Sequence, residues 1–117
     1  RAAELYAGPF LCGDADAPSS PLADRLRRRL LRQLVEIGLH CEQAALWQDA
    51  AASYEKGLSI DPCAEDVCRH LMTAYDALGR RSDALGVYLT CRDALGARLG
   101  VPPSAETETL LKHLRGH

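Results

Sequence analysis

The sequence predicts an all-α fold of about five main helices, arranged as a stack of antiparallel helix pairs, and three observations support that expectation. Its 117 residues include 18 alanines and 19 leucines against 4 valines and 2 isoleucines. Ala and Leu lose little on entering a helix, whereas β-branched residues suit a pleated sheet, so a sheet-rich fold is excluded. Apolar residues return at spacings of three and four rather than two, the period of a helical face. Finally, the chain resembles itself after a shift of 34 positions, so one helical unit is used twice. The length suits a single core that buries about two-thirds of the surface of the unfolded chain.

In chain order, Leu5-Tyr6-Ala7-Gly8-Pro9-Phe10-Leu11 places four large apolar residues around a Gly-Pro breaker, and Cys12 to Pro21 is rich in Asp, Pro and Ser. Residues 1–21 therefore read as a short docked segment followed by a loop, and residues 22–117 as the helical domain. Leu22, Leu26, Leu30, Leu34, Ile37 and Cys41 form one stripe, predicting a long helix to about Ala45 that buries this face. A second helix runs from about Trp47 to Ile60, where Asp61-Pro62 stops it and supplies a cap and first-turn proline for a third, from about Cys63 to Leu78. Gly79 and Gly100 fit the left-handed position that closes helices, so a fourth spans Arg81 to about Leu99. Pro102-Pro103-Ser104 then breaks the chain and caps a last helix over about 104–115, with Leu110, Leu111 and Leu114 inward.

Charge and cysteine usage narrow the class. A formal net charge of -2 argues against a surface built to neutralise nucleic-acid phosphates. No apolar run approaches the roughly 18 residues of a membrane-spanning helix. Five cysteines without a C-x-x-C pair fit a reduced, cytoplasmic protein. The first residue is Arg1 and the opening is helical in character, so the chain reads as part of a longer polypeptide.

The internal shift superposes Ala50 on Ala84, Tyr54 on Tyr88, Ile37 on Leu71 and Cys41 on Tyr75. Such residues have a physical use: Ala50 and Ala84 let two helix backbones approach, while Tyr54 and Tyr88, one turn later, fill the space between units. The period is that of the tetratricopeptide repeat, with repeats over about 31–64 and 65–93 and the final helix as a cap. Gly38, Ala50, Tyr54, Gly57 and Pro62, then Tyr75, Gly79, Ala84, Tyr88 and Cys91, match that motif in residue type.

Longer strings sharpen the resemblance: Leu5 to Leu11, Ile60-Asp61-Pro62, Leu71 to Leu85, Tyr88, Cys91-Arg92 and Leu99 to Thr107. Together they resemble the bacterial transcriptional activator domain of regulators of the antibiotic-regulatory-protein (SARP) type, across almost the whole chain. The resemblance implies a tetratricopeptide-like right-handed stack of helix pairs that follows a winged-helix DNA-binding domain and serves activation, self-association or effector response. The sequence departs from the usual pattern at Cys63, where a larger apolar residue commonly follows Asp-Pro, and in the stretch Pro18 to Pro21.

Arg25, Arg28, Arg29 and Arg32 stand at i, i+3, i+4 and i+7 on the first long helix and form one basic face. DNA phosphate is one use for such a face, and a solvated surface or an acidic protein partner is the other. The net charge favours the second, and no aromatic residues interleave to stack bases. The first helix of each repeat lines the concave face of such an array, here Val35, Leu39 and Glu42, then Asp66, Arg69, Thr73 and Asp76. Arg69, Thr73 and Asp76 complete the predicted interaction surface, and Tyr6 and Phe10 are expected to cover Val35 and Leu39. A receptor for C-terminal carboxylates would need basic and amide residues where Val35, Leu39 and His70 stand.

Cys63, Cys68 and His70 lack finger spacing and a fourth ligand, so they read as core residues. His113 and His117 make at most a weak pair. No Gly-rich phosphate loop, paired carboxylates or activated nucleophile is visible, and neither catalysis nor a cofactor is predicted. The sequence thus points to a regulatory, protein-interaction domain. A peptide-binding tetratricopeptide adaptor and a small-molecule effector-sensing domain are the alternatives.

Overall fold

The computed structural model describes residues 21–116. They form α1 (Pro21–Gln43), α2 (Trp47–Ile60), α3 (Glu65–Ala77), α4 (Arg81–Arg98) and α5 (Ala105–Arg115), with no strand among the described residues. The segment and loop expected before α1, including Tyr6 and Phe10, lie outside these residues, apart from Pro21, which begins α1.

Each helix packs on the next, and α5 returns against both α3 and α4. The first pair is antiparallel. A Cβ added at Gly57 of α2 would meet Leu31 near the middle of α1, Ser53 donates to the Leu34 carbonyl at 2.6 Å, and Tyr54 lies against Gly38. Contacts thus move forward along one helix as they move backward along the other. Ala50 and Ala84 are fully buried, as a close crossing requires, and the main core adds Tyr54, Met72, Ala74 and Tyr75.

The turns follow backbone hydrogen-bonding rules. After α3, Gly79 takes a left-handed φ of 76°, Arg80 N–H reaches the Tyr75 carbonyl at 2.8 Å, and Gly79 N–H reaches that of Asp76 at 3.0 Å. These are the two bonds of a Schellman closure. The same closure ends α1 without glycine: Ala45 stands at φ 60°, with Leu46 N–H on the Cys41 carbonyl at 2.8 Å and Ala45 N–H on that of Glu42 at 2.9 Å. A Cβ there is strained by about 1–2 kcal/mol. Gly100 is left-handed after α4, at φ 66°.

Two local expectations need correction. Asp61 does not cap α3; its carboxylate accepts the Cys63 N–H at 3.1 Å in a turn, and the helix begins only at Glu65. The leucine stripe of α1 is not buried either: Leu22, Leu26, Leu30 and Ile37 are 60%, 53%, 47% and 52% exposed. Leu31 and Val35 pack on the core instead, around the buried Gly38, together with Cys41 from the end of the expected stripe. Both stripes satisfy the helical period. The choice is made by Gly38, which alone on this helix admits the Tyr54 ring and so fixes the rotation of α1 about its axis.

Candidate interaction surface

The basic face predicted on α1 is present: Arg25, Arg28, Arg29 and Arg32 are all exposed. Arg27 beside them is half-buried and pairs with Asp24 at 2.6 Å. Helical spacing sets the four exposed guanidiniums on one side of a long rod, bordering the uncovered Leu22, Leu26, Leu30 and Ile37. The result is an apolar stripe edged by positive charge.

The α3 members of the predicted surface behave differently. Arg69 is half-buried and turned to the last helix, donating to Thr107 Oγ1 at 3.0 Å and to Ser104 Oγ at 3.5 Å. Thr73 is exposed and its hydroxyl folds back to the Arg69 carbonyl at 3.0 Å. Asp76 is half-buried near the end of α3. Arg69 therefore holds α5, and of the predicted set the four arginines on α1 make the coherent exposed face.

Two polar clusters escaped the sequence reading. In the first, Glu65 at the start of α3 accepts the Thr107 hydroxyl at 2.6 Å and the Ser104 N–H at 2.8 Å, so a carboxylate from α3 caps α5. Burial pushes the Glu65 carboxyl up, but the bonds from Thr107 and the Ser104 backbone outweigh it and hold the group below the usual glutamate range. Ser104-x-x-Thr107 signals a helix start, yet nothing in the sequence says that a glutamate 39 residues earlier completes it.

In the second cluster, Tyr54 donates its hydroxyl to Glu42, His70 Nδ1 lies 3.4 Å from the same carboxylate, and the Tyr54 and His70 rings stack at 5.3 Å. Burial, then the hydrogen bond to Glu42, raise the Tyr54 phenol well above its ordinary value. Tyr88, its equivalent in the second pair, donates to Glu108 of α5 at 2.9 Å. Each repeat tyrosine thus fills its crossing with the ring and anchors a carboxylate with the hydroxyl.

Cys68 and Cys91 are buried with Leu95 in a small second core. Burial pushes both thiols up, which disfavours the thiolate needed for metal ligation or attack. Cys63 is half-buried and gives its thiol to the Ala94 carbonyl at 3.5 Å. Among the described residues no group of three or more His, Cys, Asp or Glu could hold a metal, and no helix is long and apolar enough to cross a membrane. A groove of about 360 Å³ opens between α2, α3 and α4, with Leu58, Leu71, Tyr75 and Val87 in its lining.

The family model of the bacterial transcriptional activator domain matches residues 1–115. No curated protein and no solved structure matches the chain.

Proposed function

Because the chain belongs to the family of bacterial transcriptional activator domains, we propose that it is the protein-interaction half of a regulator, acting in the cytoplasm beside a winged-helix DNA-binding domain elsewhere in the full-length protein. The observation that supports this reading is the exposed face Arg25, Arg28, Arg29 and Arg32. Four guanidiniums on one helical face offer directional, bidentate pairing to the carboxylates of an acidic protein surface. Phosphate contacts from such a face could position the protein on DNA but could not specify a sequence, since base edges must be read within a groove. The domain then works through activation or self-association, without chemistry or a cofactor of its own.

Fluorescence anisotropy tests this with the isolated domain, the full-length regulator, and the regulator carrying alanine at the four arginines. The domain should bind duplex DNA with Kd weaker than about 1 μM at physiological salt and without sequence preference. The substituted regulator should keep its affinity for a single half-site but lose cooperative assembly or activation. Tight, sequence-dependent binding by the domain alone would overturn the reading.

The groove between α2, α3 and α4 favours a second reading, in which an apolar effector binds this domain. Native mass spectrometry would decide it through a ligand carried with the purified protein. Further repeats in the full-length chain would instead favour a peptide-binding adaptor.

A further inference from the structure

The groove between α2, α3 and α4 holds about 360 Å³, room for roughly a dozen water-sized groups at about 30 Å³ each. Its walls are apolar, with Leu58 from α2, Leu71 from α3 and Val87 from α4. Among the described residues its charged lining members are Glu55 of α2 and Asp83 of α4, both exposed carboxylates. We propose that this groove binds a small apolar amine, a hydrocarbon or aromatic body of about a dozen heavy atoms whose ammonium group pairs with Glu55 at the rim. The proposal rests on the apolar-effector reading of the same groove and adds the chemical class of the effector.

Charge selects the sign of the ligand. An acid in this groove would set its carboxylate beside two others, whereas an ammonium meets opposite charge. The chain already seats one cation of its own on the same rim: Arg80 donates from Nε to Asp83 at 2.7 Å, and its guanidinium lies 4.6 Å from the centre of the Tyr75 ring, both partners being lining residues. That contact balances Asp83, so Glu55 is the carboxylate left to pair with a ligand. Space is the second argument. Gly86 lines the groove from within α4, its backbone is not left-handed, and a Cβ added there meets nothing within 4 Å. Neither backbone conformation nor helix packing calls for glycine at this position, and glycine weakens a helix relative to alanine. Its missing side chain instead leaves one wall of the groove open to a ligand.

Amide nuclear magnetic resonance of the 117-residue chain tests this by titration with phenylbutylamine, phenylbutanol and phenylbutyrate, which share one apolar body and differ in charge. The amine should shift the amide signals around Leu58 and Val87 with Kd of about 0.1–1 mM, the range that about a dozen heavy atoms reach. It should bind roughly threefold to fivefold more tightly than the alcohol, as a surface ion pair allows, and the carboxylate should bind most weakly. Glu55→Gln should remove the preference for amine over alcohol. Gly86→Leu should weaken all three by roughly tenfold or more while its helix content and urea midpoint stay at least as high as those of the unsubstituted chain. Gly96→Leu, on α4 but outside the groove, should leave binding unchanged. Equal or tighter binding of the alcohol or the carboxylate, or a preference for the amine that survives Glu55→Gln, would overturn the amine and leave the apolar-effector reading standing. Binding retained by Gly86→Leu would place the ligand elsewhere and overturn the proposal. Groove signals that none of the three compounds shifts would overturn both readings.

Discussion

Replacing Gly38 with alanine isolates the contact that orients α1. In an ordinary exposed helical position the change is favourable by roughly 1 kcal/mol, because alanine restricts the unfolded chain and glycine does not. Here a Cβ would come within 2.6 Å of Tyr54 Cζ and nearer still to Cε1. Tyr54 is fully buried, so its ring cannot swing into solvent, and moving it also strains the bond from its hydroxyl to Glu42 and the stack on His70. Overpacking of this kind costs roughly 1–3 kcal/mol, and weakening a hydrogen bond to a carboxylate adds roughly 1.5–3 kcal/mol. Setting the propensity gain against these terms, Gly38→Ala should destabilise by about 2–4 kcal/mol. Gly86 and Gly96, both within α4, are the controls, since a Cβ at either meets nothing within 4 Å. Gly96→Ala should stabilise by up to about 1 kcal/mol. Urea unfolding followed by circular dichroism reads all three variants. A Gly38→Ala protein as stable as Gly96→Ala would refute the reasoning, because Tyr54 could not then lie against α1.

Other expectations follow from the same geometry. Ala45→Gly should stabilise by about 0.5–1 kcal/mol in thermal or urea unfolding, since relief of left-handed strain exceeds the added chain entropy. Ala84→Leu should destabilise by roughly 1–3 kcal/mol because the fully buried crossing has no room for the added atoms, whereas Arg28→Ala, on the exposed face, should stay within about 0.5 kcal/mol. The depressed Glu65 carboxyl contributes stability that is fully present above its ordinary value of 4.5 and is lost as pH falls through its lower native value. Acid unfolding curves should therefore be shallower in that window for Glu65→Gln, which is expected to start from a lower stability at neutral pH. Helix content should be unchanged by a chelator, as read by circular dichroism.

How much of this was legible in sequence depends on the range of the forces involved. Helix existence, the glycine closures at Gly79 and Gly100, and the pairing of Ala50 with Ala84 and Tyr54 with Tyr88 are local or repeated signals. Period, cap chemistry and residue size are written within one or two turns of chain. The stop of α1 near Ala45 was legible, but the left-handed alanine that makes it was not, because the usual glycine signal is absent and packing holds an alanine in its place.

Periodicity pointed to the wrong stripe of α1, since two sets of apolar residues obey it. Only the contact of Gly38 with Tyr54, across a helix crossing, selects Leu31 and Val35 and leaves Leu22, Leu26, Leu30 and Ile37 outside. The same holds for Arg69, which reads as a surface cation until α5 folds back and brings Thr107 within hydrogen-bonding distance. The sequence by itself determined the helices and their succession, because backbone hydrogen bonds and side-chain period act over a few residues. The tertiary structure decided which faces and which charges remain for partners, because burial is a property of the neighbour as much as of the residue.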